Sequence, residues 1–91
     1  MGRYRVNVSV RAAEHMKAHR KSGDKGTNKR IDRILLELEE HPETGVGNPE
    51  RLKHDYSGYW SRRLSSEHRL IYRIEAEVVE VIIVSAMGHY E

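Results

Sequence analysis

The sequence contains no cysteine, and this absence removes several kinds of chemistry at once. Without thiols there is no disulfide framework, no thiolate nucleophile and no cysteine-based zinc site. The chain has no apolar run near the ~18 residues that a membrane-spanning helix needs, and its first ten residues, MGRYRVNVSV, lack the apolar core of a secretory signal. Catalysis would have to use His, carboxylate, Lys, Arg, Ser or Tyr side chains, and we expect a cytoplasmic protein without membrane contact.

The length of the chain limits the number of domains, and the distribution of charge indicates the class of ligand. A chain of 91 residues is too short to divide its apolar side chains between two cores, so we expect one domain over residues 1–91. Charge is nearly balanced, with 16 Lys and Arg against 14 Asp and Glu. The two signs are separated, because residues 37–43 (ELEEHPE) are acidic and residues 51–73 hold six Lys or Arg against two acids. This separation favours a polyanion as the ligand.

The first part of the chain has the pattern of a strand followed by a helix. Residues 3–9 (RYRVNVS) alternate apolar and polar side chains, as a half-buried strand does. Ser9 can cap a helix that begins near Val10 and ends around Lys21. The turn-rich segment SGDKGTN, residues 22–28, is predicted to be a loop.

A second helix is predicted to begin at Thr27 or Asn28 and to end at Pro42. One side of this helix is apolar and should face the core: Ile31, Ile34, Leu35 and Leu38. The segment PETGVGNP, residues 42–49, then forms a loop. Its glycines neither follow a strand nor open a helix, as phosphate-binding loops require, so we do not assign it to a nucleotide.

Four short runs typical of strands follow Pro49: ERLKH, YWSRRL, RLIYRI and VVEVIIVSA. Their short separators predict antiparallel neighbours, because parallel strands need crossovers of about a dozen residues. The predicted fold class is therefore α+β, with two N-terminal helices packed on one face of a mainly antiparallel, twisted sheet in the order β-α-α-β-β-β-β. Two helices cannot cover both faces of such a sheet, so the other face is partly open to a ligand.

Alternation along the strands indicates which basic residues reach the open face. In RLIYRI, Leu70 and Tyr72 share one face and Arg69 projects from the other. In YWSRRL, Arg63 joins Arg69 on the open face if Trp60 packs on the helices. Alternation alone supports equally well the reading that both arginines are ordinary charges at the edge of a sheet.

The remaining polar clusters are less informative. His15 and His19 lie four residues apart on the first helix, where two imidazoles can share a metal ion. No third ligand accompanies them, so we interpret both as solvated surface histidines and predict neither a metal site nor a cofactor. Glu50 can act as a base, although an isolated glutamate among cations more often forms a surface salt bridge.

Residues 48–72, NPERLKHDYSGYWSRRLSSEHRLIY, together with the HY pair near the chain end, resemble the YoeB/Txe toxins of bacterial toxin-antitoxin pairs, within the RelE superfamily. The resemblance covers residues 47–74 most closely, while the first 45 residues agree in layout and in the KRID of the second helix. It implies a RelE-like fold and a ribosome-dependent endoribonuclease that cuts messenger RNA in the ribosomal A site. It also implies a small antitoxin partner similar to YefM or Axe, with operator DNA bound only through that antitoxin, and leaves open a homodimer.

The resemblance also implies roles for individual residues. Glu50 corresponds to the general base, Arg69 to the group that stabilises charge on the phosphate, and His89 to the general acid. The positions that hold or orient the RNA are Lys53, Arg63 and Tyr90. Such cleavage needs no metal, because RNA carries its own nucleophile beside every phosphate. Two alternatives remain open: a catalytically silent module that binds RNA or the ribosome, and a transcriptional co-repressor that acts with an antitoxin.

Overall fold

The computed structural model describes residues 3–88, where two helices lie between the first strand and the other four. In chain order the elements are β1 (Arg5–Val8), α1 (Val10–Ser22), α2 (Lys25–Glu40), β2 (Glu50–Arg51), β3 (Tyr59–Arg63), β4 (Arg69–Glu75) and β5 (Glu80–Ser85). Short 3₁₀ turns, His54–Tyr56 and Ala76–Val78, precede β3 and β5.

The strands form one five-stranded sheet in the order β1-β5-β4-β3-β2. Strands β2, β3, β4 and β5 pair antiparallel with one another in that order, as the short separators predict. Strand β1 instead pairs parallel with β5. This pairing is possible because everything between the two strands, both helices included, serves as the long crossover that parallel strands need. The predicted α+β class is confirmed.

Helix α1 begins as the sequence predicts. Ser9 is the N-cap, and its hydroxyl accepts a hydrogen bond from the Ala12 amide at 3.0 Å. The same hydroxyl donates to the Val84 carbonyl at 2.9 Å, so the cap also fastens the helix to β5. Gly23 ends the helix with a φ of 76°, a left-handed conformation that glycine adopts without steric cost.

The loop predicted over residues 22–28 is wrong in length, because α2 begins at Lys25 rather than at Thr27 or Asn28. Asp24 is the N-cap, and its carboxylate accepts from both the amide (3.2 Å) and the hydroxyl (2.9 Å) of Thr27. A carboxylate caps a helix at least as well as a hydroxyl does, and its negative charge is stabilised by the positive N-terminal end of the helix dipole. The helix therefore starts at Lys25, directly after the Asp24 cap.

The strand predicted over ERLKH is also wrong in length. Only Glu50 and Arg51 pair with β3, and the chain then turns through His54–Tyr56. Leu52 is buried beneath this turn, and its amide still donates to the Tyr59 carbonyl. The sheet therefore ends in a two-residue edge strand.

The core lies between the helices and one face of the sheet. Tyr72 is fully buried there, as alternation along β4 predicts, and Trp60 packs against the same cluster. The buried members are Ala12, Ile31, Ile34, Leu38, Leu64, Leu70, Tyr72, Val81, Ile83 and Ala86. Helix α2 ends at Glu40, before Pro42, as predicted. Within residues 3–88, neither helix combines the length and the apolar character required to cross a membrane.

Candidate active site

The open face of the sheet carries a carboxylate and two guanidinium groups on neighbouring strands. Arg63 of β3 pairs directly with Arg69 of β4, and Glu50 of β2 pairs with Ser61 of β3. Because cross-strand partners and alternate residues share a face, Glu50, Arg63 and Arg69 project from the side opposite the helices. Arg62 points the other way and is fully buried, so the placement of Arg63 on the open face agrees with the structure.

Glu50 and Arg69 face each other across this surface. The Glu50 Oε1 atom lies 4.0 Å from the Arg69 Nη1 atom, which is too long for a direct hydrogen bond. The Glu50 side chain is 52% exposed and that of Arg69 is 18% exposed. An ion pair of this length whose carboxylate is half-exposed contributes little to stability. The Glu50 carboxylate remains accessible to a hydroxyl group beside the Arg69 guanidinium.

The other predicted site residues differ in whether they lie among the residues that the structure describes. Lys53 is exposed at the end of the edge segment, just before the 3₁₀ turn. Arg63 is also exposed, and its backbone amide donates to the Gly47 carbonyl. His89 and Tyr90 lie outside the described residues. The structure therefore brings together Glu50, Arg63 and Arg69, and it leaves the assignments of His89 and Tyr90 as predictions.

The last described residue, Gly88, is attached to the same surface. Its carbonyl accepts a hydrogen bond from the Arg69 amide at 3.0 Å. Its own amide donates to Nδ1 of His68 at 2.9 Å. Both polar groups of the Gly88 backbone are therefore bound to two consecutive residues, His68 just before β4 and Arg69 at its start.

Arg62 supports the site from within the core. Its side chain is fully buried and donates to the Glu37 carboxylate at 2.7 Å and to the Tyr72 hydroxyl at 3.2 Å. It also donates to three carbonyls of the loop that precedes β2: those of His41, Thr44 and Val46. A buried guanidinium is tolerated only where its donors are paired, and here every nitrogen has an acceptor.

Glu37 completes this buried network from α2. Its side chain is 8% exposed and accepts from Arg33 at 2.9 Å and from the Val46 amide at 2.9 Å. Burial raises the pKa of Glu37, but the hydrogen bonds from Val46, Arg33 and Arg62 outweigh burial and leave the pKa below its ordinary value. The carboxylate is therefore ionised and holds both the arginine and the loop.

Two glycines allow the loop to lie close to this network. A Cβ atom on Gly45 would overlap the Glu37 carboxylate, and one on Gly47 would lie 2.9 Å from the Arg63 carbonyl. Both residues have positive φ angles, 127° and 85°, which other residues rarely adopt. The glycines of the segment TGVGNP thus allow the loop to pack closely against Glu37 and Arg63. The segment leads directly to Glu50 at the edge of the sheet.

Two patterns in the sequence indicate the buried pair of Arg62 and Glu37, which the sequence analysis did not predict. Adjacent arginines in a strand must point to opposite faces, so either Arg62 or Arg63 had to enter the core. A buried arginine requires a buried acid, and Glu37 lies three residues after Ile34 and therefore on the apolar side of α2. The pairing of Arg62 with Glu37 could have been predicted from these two patterns.

The interpretation of His15 and His19 as solvated surface histidines is wrong. His19 is 4% exposed, and its Nε2 atom lies 2.7 Å from the Ala86 carbonyl oxygen. His15 is partly buried, and its Nδ1 atom accepts from the Ala86 amide at 3.1 Å. The reason is tertiary, because the end of β5 packs against the side of α1 that carries both rings. Across residues 3–88 no cluster of three or more His, Cys, Asp or Glu side chains is arranged to hold a metal ion.

A cavity of about 300 Å³ opens beside the site. Tyr59 and Ile71 belong to the open face of the sheet, and Tyr56 and Arg11 contribute from the 3₁₀ turn and from α1. Aromatic rings next to a cation suit the stacking of a planar base and the binding of its phosphate. The lining also includes the Asp55 carboxylate, and Ile71 lies two residues after Arg69 on the same face of β4.

Sequence comparison connects this arrangement to known proteins. A family model described as "YoeB-like toxin of bacterial type II toxin-antitoxin system" matches residues 12–90. Toxin YoeB of Streptomyces coelicolor is 43% identical over 72 residues, which make up 79% of this chain and 83% of that toxin. The residues matched by the family model include Glu50, Lys53, Arg63 and Arg69.

Two solved structures from Staphylococcus aureus have the same fold. The chain from the structure of a YoeB dimer has a TM-score of 0.79 at 34% identity, covering 97% of this chain and 99% of that one. The chain from a heterotetrameric YoeB-YefM toxin-antitoxin complex has a TM-score of 0.77, with the same identity and coverage. The resemblance noted from residues 47–74 therefore extends over nearly the whole chain.

Proposed function

The chain belongs to the YoeB-like toxins of bacterial type II toxin-antitoxin systems, and from this membership we propose that it is an endoribonuclease that cuts messenger RNA in the A site of the ribosome. The observation that carries the proposal is the placement of Glu50 and Arg69 on the open face, 4.0 Å apart. A base and a fixed positive charge within reach of one phosphodiester are what cleavage by the ribose hydroxyl requires.

In the proposed reaction the 2′-hydroxyl of the RNA is the nucleophile. Glu50 takes the hydroxyl proton while the 2′-oxygen attacks the adjacent phosphorus, and the bond from phosphorus to the 5′-oxygen breaks. His89 donates a proton to that leaving oxygen. The products carry a 2′,3′-cyclic phosphate, or the 3′-phosphate formed from it, and a 5′-hydroxyl. Alignment and proton transfer suffice for this reaction, so the proposal includes no metal ion and no cofactor.

Arg69 stabilises the charge that accumulates on the phosphate oxygens. Its planar guanidinium can donate two parallel hydrogen bonds to a phosphoryl group, which the ammonium of a lysine cannot do. Removal of one preorganised donor of this kind typically lowers the rate about 10²- to 10³-fold. Arg63, paired with Arg69 across the strands, adds a second positive charge on the same face.

The assignment of His89 is supported by its neighbour in the chain. Gly88 directly precedes His89, and the Gly88 carbonyl accepts from the Arg69 amide at 3.0 Å. The chain therefore reaches the Arg69 strand one residue before the proposed acid. Lys53, Arg63 and Tyr90 hold the RNA in this proposal, and binding should weaken steeply with salt because phosphate contacts release counterions.

An antitoxin is the second proposed partner. The S. aureus relative is described in a heterotetrameric complex with YefM and also as a dimer. We propose that a YefM-like or Axe-like antitoxin binds this chain, and that operator DNA is contacted only through it. A homodimer of the free toxin is proposed on the same similarity.

The experiment compares three site variants, Glu50→Gln, Arg69→Ala and His89→Gln, on translating ribosomes, with mapping of the RNA ends. Each should lower cleavage by about 10²-fold or more and relieve growth arrest in cells that lack the antitoxin. Matched controls are Glu77→Gln and Arg30→Ala, exposed residues in the turn before β5 and on α2. Full cleavage by all three site variants would refute the mechanism.

The alternative functions give different results in the same experiment. A silent RNA-binding or ribosome-binding module would associate with ribosomes without producing 5′-hydroxyl ends. A co-repressor without nuclease activity would bind operator DNA only with the antitoxin present and would leave messages intact. A flat dependence of RNA binding on salt would show that the basic segment does not contact phosphates.

A further inference from the structure

We propose that His15, His19 and His68 form a histidine clamp that holds residues 86–88 and thereby positions the end of the chain for catalysis. None of the three is assigned to the chemistry, so they are positioning residues. The inference depends on the proposed function, since the residue that follows the clamped segment is the proposed acid, His89.

The first half of the clamp comes from α1. The Ala86 amide donates to Nδ1 of His15 at 3.1 Å, and the Ala86 carbonyl accepts from Nε2 of His19 at 2.7 Å. Two side chains one helical turn apart therefore bind both polar groups of one residue just after β5 ends. Ala86 itself is fully buried, so these backbone groups have no access to solvent and would be costly to leave unpaired.

The second half comes from the start of β4. The Gly88 amide donates to Nδ1 of His68 at 2.9 Å, and the Gly88 carbonyl accepts from the Arg69 amide at 3.0 Å. The His68 ring also meets the His19 ring edge-on, with centroids 4.9 Å apart. The two halves are thus in contact and hold alternate residues of one short segment.

These bonds specify the protonation of the rings. Nδ1 of His15 and Nδ1 of His68 must be unprotonated to accept from amides, while Nε2 of His19 must carry a proton to donate. Burial lowers the pKa of His15, and the positive charge of Arg11 lowers it further. A neutral His15 ring is therefore favoured, as the contact with Ala86 requires.

The clamp restricts the position of the backbone next to the proposed general acid. A general acid must lie within hydrogen-bond reach of its target, and a misplacement of about 1 Å can cost about 100-fold in rate. Binding of both Ala86 and Gly88 holds the backbone up to the residue that precedes the proposed acid.

The test removes one acceptor and then restores it. His68→Leu eliminates the acceptor for the Gly88 amide, whereas the side-chain oxygen of His68→Asn can take the place of Nδ1. We expect His68→Leu to lower kcat on translating ribosomes about 10- to 100-fold with little change in KM, and to accelerate hydrogen exchange of the Gly88 amide. His68→Asn should recover most of both properties. Ser66→Ala, at an exposed position of the same loop, is the matched control.

The two readouts separate this inference from the proposed function. If the wild-type chain does not cut RNA, the nuclease proposal fails, and the exchange of Gly88 in the two variants still decides whether the clamp exists. If the wild-type chain cuts RNA but His68→Leu matches it in kcat and in Gly88 exchange, the clamp is refuted. Should His68→Leu not fold, His15→Leu provides the same comparison through the Ala86 amide.

Discussion

Replacement of Arg62 by leucine should strongly destabilise the protein, whereas the same change at Arg63 should not. The two arginines are consecutive in β3, but Arg62 is 0% exposed and Arg63 is exposed. Loss of Arg62 leaves the Glu37 carboxylate, itself 8% exposed, without its 2.7 Å partner. Breaking a buried ion pair by removing one member costs about 3–5 kcal/mol. Small domains have total stabilities of only about 5–15 kcal/mol, so this loss is a large fraction.

The contrast with Arg63 makes the magnitude testable. An exposed substitution usually changes the free energy of unfolding by less than about 0.5 kcal/mol. Guanidinium titration can follow both variants through Trp60, the single tryptophan, which stacks on Tyr72 in the core. If Arg62→Leu costs less than ~1 kcal/mol, or if Arg63→Leu costs as much, the reasoning about the buried network is wrong.

A double variant identifies the source of the loss. Glu37→Leu combined with Arg62→Leu replaces the ion pair with apolar groups, which is often neutral or even stabilising for buried pairs. We expect the double variant to lose less than the sum of the single losses by at least ~1 kcal/mol. An additive result would show that the loop carbonyls, rather than the lost ion pair with Glu37, account for the effect of Arg62.

The remaining predictions concern acid, a helix cap and a buried hydroxyl. Because the folded pKa of Glu37 lies below its unfolded value, its contribution to stability is present above about pH 4.5 and is lost as the pH falls through the folded pKa. The unfolding free energy, measured at decreasing pH, should show this loss in the wild-type chain. The Glu37→Gln variant should not show it. Ser9→Ala should cost about 0.5–2 kcal/mol by thermal or chemical unfolding, since it removes the cap of α1. Ser66→Ala, at an exposed loop position, is the comparison. Ser61→Ala should be neutral or slightly stabilising, because the Ser61 hydroxyl is buried and has no hydrogen-bond partner among residues 3–88. A loss above ~1.5 kcal/mol at Ser61 would mean that a buried water or another group satisfies it.

Much of the fold follows from local patterns in the sequence. The cap at Ser9, the apolar side of α2 and the end of that helix before Pro42 all depend on residues close in the chain. Alternation along β4 separated Tyr72 from Arg69 correctly for the same reason. Local steric and hydrogen-bond preferences act within a few residues, so a sequence displays them directly.

The sequence by itself thus determined the order of the elements, the apolar faces of α2 and β4, and the family motif that singled out Glu50 and Arg69. Only the tertiary structure decided that Arg62 is buried with Glu37, that β1 runs parallel to β5, and that the histidines of α1 bind Ala86. Each of these joins residues at least 25 positions apart along the chain. Such contacts form because buried polar groups must find partners wherever the packed chain provides them.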